Sequence, residues 1–358
     1  MDAQSGAADL CAAEVEGEYN MPLHIAAIFI IMALSFRGTM LPILGRRTAK
    51  EKVGKLLSVV AGNADYEHHL SHRLQFGKLP FQCLKLFGAG VILSTAFIHM
   101  LMPAQMQLTD TCLPAHFQLY SAWAGAIALL GAFFAHFMQY SAIQILHHGK
   151  HKTSDTPTTA CAKDVRTRTL EEGQPEPCIM HQYSNSHADD AHVHSLILAD
   201  AEKTVMTYVL ELGIASHSVI IGVTLGAARE EFKGLFIALC FHQFFEGLAL
   251  SIVVMDADLK KKLIAIGMVL FYSLTTPVGI IIGIALNHTY HENATQALIS
   301  TGVLDALSAG ILLYDGLVNI VVPHFQAQTL RTASKETLFH FFFLWLGALA
   351  MAIIGRWA

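Results

Sequence analysis

Charge is what this chain has little of. Charged side chains are 14% of its 358 residues, against about 25% in an average soluble domain. At that average rate about 90 would be expected, yet Lys and Arg number 23 and Asp and Glu 28. Cysteine is also sparse, at 6, which excludes a disulfide scaffold. Low charge with 53% apolar residues excludes a disordered chain. It also argues against an ordinary soluble enzyme. No basic residue occurs in Met1 to Asn20, where Asp2, Asp9, Glu14, Glu16 and Glu18 stand instead. A signal peptide would begin with a basic segment, so none is read there. Histidine runs the other way, with 20 copies.

The apolar residues are gathered in long runs. A membrane span needs roughly 20 of them, because a helix rises about 1.5 Å per residue through a core about 30 Å thick. Eight stretches qualify: 22–45, 82–102, 119–146, 204–226, 234–255, 263–286, 298–321 and 338–357. The expected fold class is an all-α integral membrane protein with eight transmembrane helices. Its expected divisions are a tail at 1–21, helices one to three in 22–146, a polar loop at 147–203, and helices four to eight in 204–358.

Basic residues set the orientation. Arg46, Arg47, Lys50, Lys52, Lys55, Arg73 and Lys78 follow the first span. Lys150, Lys152, Lys163, Arg166, Arg168 and Lys203 follow the third. Lys260 to Lys262 follow the fifth, and Arg331 and Lys335 the seventh. The alternate loops hold only Arg229 and Lys233. The long loop is therefore expected in the cytosol and both termini outside. The sequons at Asn287 and Asn293 and the pair Cys11 and Cys112 would then also lie outside. There a disulfide can persist, and two free thiols fit equally.

Segment 147–203 is rich in Thr, Ser, Pro and charge and has little apolar periodicity. It reads as largely disordered. Its histidines include His147, His148, His151, His192 and His194. Such a tract either contacts metal weakly or is a plain hydrophilic linker.

Ionisable groups at bilayer depth are costly and usually mark a pathway or a site. The fourth run carries Glu211, His217 and Ser218; the fifth carries His242, Gln243 and Glu246. His242 and Glu246 are i and i+4, on one helix face. Rise per residue puts His217 roughly 13 Å and His242 roughly 12 Å below the outer surface, with Glu246 about 6 Å deeper. One buried histidine alone is more often a packed core residue than a ligand. Two imidazoles and a carboxylate at matched depth suit Zn2+ or another first-row divalent ion. Ser218 and Gln243 stand where they would complete or support that set.

Other polar residues are weaker signals. His99, near the expected outer end of the second run, suits an entrance. His136 reads equally as a satisfied core histidine. Glu211, six positions before His217, lines an exit path or pairs with a neighbouring helix. Asp305, Asp315 and Asn319 read mostly as helix–helix hydrogen bonds. Thr275-Thr276-Pro277 is expected to break and kink the sixth run.

The segments Glu211 to Gly226 and His242 to Gly247 resemble the signature spans of the ZIP family, its fungal and plant zinc uptake branch in particular. Phe87 to His99, Ser273 to Ile280 and Leu304 to Tyr314 match as well, and all eight runs are covered. The resemblance implies a 3+2+3 inverted-repeat arrangement and a divalent ion moved into the cytosol. It makes His217, His242 and Glu246 metal ligands, with Ser218 and Gln243 flanking them. His99 becomes the entrance histidine and the His-rich loop regulatory. The chain departs from the pattern at Ile221, Ser218 and Gln243, where some members carry acidic residues or Asn. A single transport site is therefore expected.

The resulting expectation is Zn2+ as transported substrate, with Fe2+ or Mn2+ beside it, in the plasma membrane or, alternatively, a vacuolar or other internal membrane. Partners are the ions and the bilayer. No nucleic acid is expected, and a homodimer is allowed. Neutral imidazoles bind metal, so uptake should weaken as pH falls through the histidine range. Two rivals use the same histidines. A membrane-embedded zinc hydrolase needs a metal-bound water and a general base. A metal sensor would need the His-rich loop.

Overall fold

The structure is a computed structural model describing residues 18–60, 67–151, 186–229, 232–257, 262–287, 294–326 and 334–357. Of residues 46–60, 67–79, 146–151, 186–202, Lys262 and Ser334 it describes the backbone alone. Among the described residues, eight helical stretches are long and apolar enough to cross a membrane. They are Met21–Gly45, Pro80–Leu108, Trp123–Ile145, Lys203–Ala227, Phe232–Asp256, Leu263–Leu286, Thr295–Gln326 and Lys335–Ile354. We call these spans one to eight. The end of the bundle where span one begins is the tail end. The other, where span three leaves and span four arrives, is the loop end.

All eight expected runs are present, and two are longer than expected. Span two continues past residue 102 to Leu108, and span seven past 321 to Gln326. Both contain a proline, Pro103 and Pro323, just beyond a seven-residue π-helical turn, at Thr95–Leu101 and Asp315–Val321. The wider turn absorbs the proline, whose missing N–H and ring otherwise disturb a helix. Span six corrects another expectation. Its helix, Lys262–Leu286, runs through Pro277 without a break.

The polar segment 147–203 is also partly corrected. The helix of span four begins at Ser186, and that of span three runs on to His151. The backbone of His147, His148, His151, His192 and His194 is therefore helical. Ala-rich sequence with Asp189 and Asp190 close to the helix start favours this extension. Residues 152–185 lie outside the described residues, as do Cys11 and Asn293. Cys112 is disulfide-bonded. Asn287 is buried, so the first sequon does not present its acceptor.

Spans four and five form the centre. Each is 67% buried over its most apolar window, against 17% for span three and 22% for span eight. The principal pairings are one with five, two with eight, three with seven and four with six. Span one also meets six, two meets seven, two meets five, and four meets seven. Exchanging one with six, two with seven, three with eight and four with five maps this set onto itself. Close approach depends on glycine where four crosses six. A Cβ on Gly222 would stand 3.0 Å from the Gly279 Cα, and one on Gly226 2.8 Å from the Gly283 Cα. Small residues let backbones meet in this way inside a bilayer, where apolar burial no longer separates one helix face from another.

Candidate metal centre

The centre is built on spans two, four and five. His99, His217 and His242 each lie about nine or ten residues from the tail-end terminus of their span, or about 13–15 Å along the axis. All three are buried, as are Glu246, Gln243 and Ser218. The His242 ring centroid is 5.7 Å from that of His217 and 5.0 Å from that of His99. His242 Nε2 is 3.7 Å from Glu246 Oε2 across one helical turn.

His99 thus belongs to the cluster and does not mark the outer end of its span. Span two runs on to Leu108, which places His99 deeper than a span ending near residue 102 would. Its Nε2 meets the Met351 carbonyl of span eight at 2.9 Å. Glu211 is buried nearer the loop end, with Oε1 unpartnered. His136 is hydrogen-bonded but is no core residue. It is exposed on span three, with Nδ1 2.8 Å from the Tyr314 hydroxyl.

Three residues hold the cluster in place, and their partners were not evident from sequence. Asp305 of span seven lies with Oδ1 3.1 Å from His217 Nδ1. With the ring proton on Nδ1, the imidazole donates to the carboxylate and keeps Nε2 free as a ligand, the usual device for orienting a metal-binding histidine. Tyr272 of span six places its hydroxyl 2.8 Å from the Gln243 carbonyl oxygen, 2.9 Å from Gln243 Oε1 and 3.4 Å from Glu246 Oε2. It has one proton and donates to one of them at a time. Ser35 of span one has its Oγ 3.3 Å from Gln243 Oε1 and 2.9 Å from the Ile31 carbonyl of its own helix, and donates its one proton to either. Gln243 Oε1 is therefore occupied, while its Nε2 is buried without a partner.

The remaining atoms are the informative ones. His99 Nδ1, His217 Nε2, both nitrogens of His242, Ser218 Oγ and Glu246 Oε1 are buried without a hydrogen-bond partner. Each such atom costs about 1–3 kcal/mol, so packing alone does not account for so many in one place. Among the described residues no three His, Cys, Asp or Glu side chains converge tightly enough to hold one ion together. The ring separations are nonetheless suitable. Two imidazoles on one zinc, at about 2.0–2.1 Å from N to metal, have centroids about 5–6 Å apart.

The model of the ZIP zinc transporter family matches residues 21–355. The chain belongs to the ZIP zinc transporter family. This ZIP protein is 32% identical to zinc transporter 8 of Oryza sativa subsp. japonica, over 94% of its own length and 88% of that protein's. It is 31% identical to Fe(2+) transport protein 2 of Arabidopsis thaliana, over 94% and 88%. Zinc-regulated transporter 2 of Saccharomyces cerevisiae is 28% identical, over 99% of each chain. Spans four and five, which resemble the ZIP signature segments, are the two most buried of the eight over their apolar windows.

Proposed function

We propose that this ZIP protein carries a divalent metal ion, Zn2+ first and Fe2+ or Mn2+ as further cargo, across the membrane into the cytosol. The ion is a transported substrate. His217, His242 and Glu246 hold it in transit, His99 completes the set from span two, and Asp305 orients His217. The unpartnered nitrogens and carboxylate oxygen on three helices at one level carry the reading. Neighbouring side chains do not satisfy these atoms, and a cation would do so once the side chains turn toward it. The names of the relatives, zinc for some and iron for another, support a first-row ion, as does the mixed imidazole and carboxylate chemistry.

The same reading takes the loop end as cytosolic, on the strength of its basic residues, with the plasma membrane as the expected location. It includes the 3+2+3 inverted-repeat arrangement, which the exchangeable helix pairings support. It also assigns the His-rich segment a regulatory role.

The test is flux. Full-length protein in proteoliposomes is expected to accumulate Zn2+, with Fe2+ and Mn2+ competing. His217→Ala and Glu246→Ala are expected to fall to the level of empty vesicles. Variants that accumulate zinc like the parent overturn the proposal. Loss of transport on deleting 152–185 counts against a merely regulatory segment.

A further inference from the structure

Span eight is peripheral, yet its carboxyl end reaches the central cluster through the backbone. The Met351 carbonyl accepts from the Gly355 N–H at 3.0 Å and stands 2.9 Å from His99 Nε2. Both Met351 and His99 are buried. A carbonyl only accepts, so this contact puts a proton on His99 Nε2. In the neutral ring that binds metal, Nδ1 then carries the lone pair, and Nδ1 is buried without a partner. The last carbonyls of a helix carry partial negative charge, which favours such a donor.

His217 is held the other way round. Its Nδ1 faces Asp305 Oδ1, and its Nε2 is the unpartnered atom. One cluster thus holds two histidines in opposite tautomers, one fixed by a carboxylate and one by a main-chain carbonyl.

The room for the His99 ring is set at the same place. A Cβ on Gly355 would stand 3.2 Å from His99 Cε1 and Nε2, and 2.9 Å from Ile98 Cγ2. The Gly355 backbone has no left-handed φ, so this glycine serves for space and not for conformation. Span eight is also locked to span two by backbone contact. A Cβ on Gly90 would meet the Leu344 carbonyl, and one on Gly347 the Phe87 carbonyl.

We propose that the carboxyl end of span eight, Met351 to Gly355, is a positioning element of the transport site. The Met351 carbonyl fixes the His99 tautomer, Gly355 leaves room for the ring, and His99 offers Nδ1 to the ion. The inference rests on the transport reading.

The experiment is zinc flux against concentration in proteoliposomes, for the full-length parent, Gly355→Val, His99→Ala and the double variant. Gly355→Val is expected to raise the KM for Zn2+ about tenfold, as loss of an orienting contact to a metal-binding histidine does. A variant that only folds less well loses maximal rate and keeps its KM. In the His99→Ala background the same substitution is expected to change KM by less than about twofold, because the displaced ring is gone. An unchanged KM in the single variant, or an equal rise in both backgrounds, overturns the positioning role. His99→Asn and His99→Gln test the nitrogen, since the Asn amide falls near the Nδ1 position and the Gln amide near Nε2. His99→Asn is expected to keep the lower KM, and an equal or reversed order overturns the assignment. Where His99→Ala carries no measurable flux, that order decides. The central-site reading fails by a different measurement, if the His217→Ala, Glu246→Ala protein still transports zinc.

Discussion

Phe87 to Pro103 of span two and Leu307 to Pro323 of span seven align without a gap. Ala89 and Ala309, Gly90 and Gly310, Leu93 and Leu313, and the two prolines are identical pairs. Gly90 packs against the backbone of span eight and Gly310 against that of span three. The π-helical turns fall at equivalent residues, Thr95–Leu101 and Asp315–Val321. The backbone device is therefore the same in both, and the side chains it displays differ. Thr95 and His99 stand where Asp315 and Asn319 stand in the other. Span two sends an imidazole to the central cluster. Span seven buries the Asp315 carboxylate nearer the loop end and, ten residues earlier, sends Asp305 to His217. Two helices of like backbone thus place polar groups at different depths of the bundle. The charge placed on each, not its shape, sets the difference.

The comparison can be broken most sharply at its central end. His242→Ala removes the residue with both ring nitrogens unpartnered, and proteoliposome zinc flux is expected to drop to background. Asp305→Ala should cost about 10–100-fold in zinc affinity, because it leaves His217 without its orienting carboxylate. Titration calorimetry on purified protein measures it, and an unchanged affinity would separate span seven from the central cluster. If span two supplies a ligand and span seven does not, His99→Ala should weaken central-site affinity by about tenfold. Asn319→Ala should then leave it within about twofold, since Asn319 lies at the other depth. Equal losses would erase the distinction. The smallest expected effect is that of Tyr272→Phe. Loss of one hydrogen bond to Gln243 is worth about 0.5–1.5 kcal/mol and should lower the thermal midpoint in detergent by a few degrees. Gly222→Val tests the packing separately. Overpacking against Gly279 costs about 1–3 kcal/mol, read as a lower thermal midpoint.

Much of this was legible in the sequence. Eight spans follow from apolar run length, and His217, His242 and Glu246 from helical rise and matched depth. The partners were harder. Asp305 reads as a generic intramembrane acid until span seven is seen against span four. Tyr272 and Ser35 carry no signal at all, since their role lies in reaching Gln243 from other helices. His99 reads as near the surface because the second run is expected to end at residue 102, and a π-helical turn has no residue signature that corrects it. The helical start at Ser186 was hidden by polar composition, which predicts weak burial and says little about local backbone preference.

Sequence by itself determined that this protein spans a membrane eight times and which residue types meet at one depth. Both follow from one-dimensional quantities, apolar run length and rise per residue. Only the tertiary structure decided which neighbour each buried polar atom meets. Hydrogen-bond partners, ring separations and the Asp305–His217 contact depend on how helices far apart in sequence cross. Those crossings are set by glycine contacts and π-helical turns, and no periodicity records them.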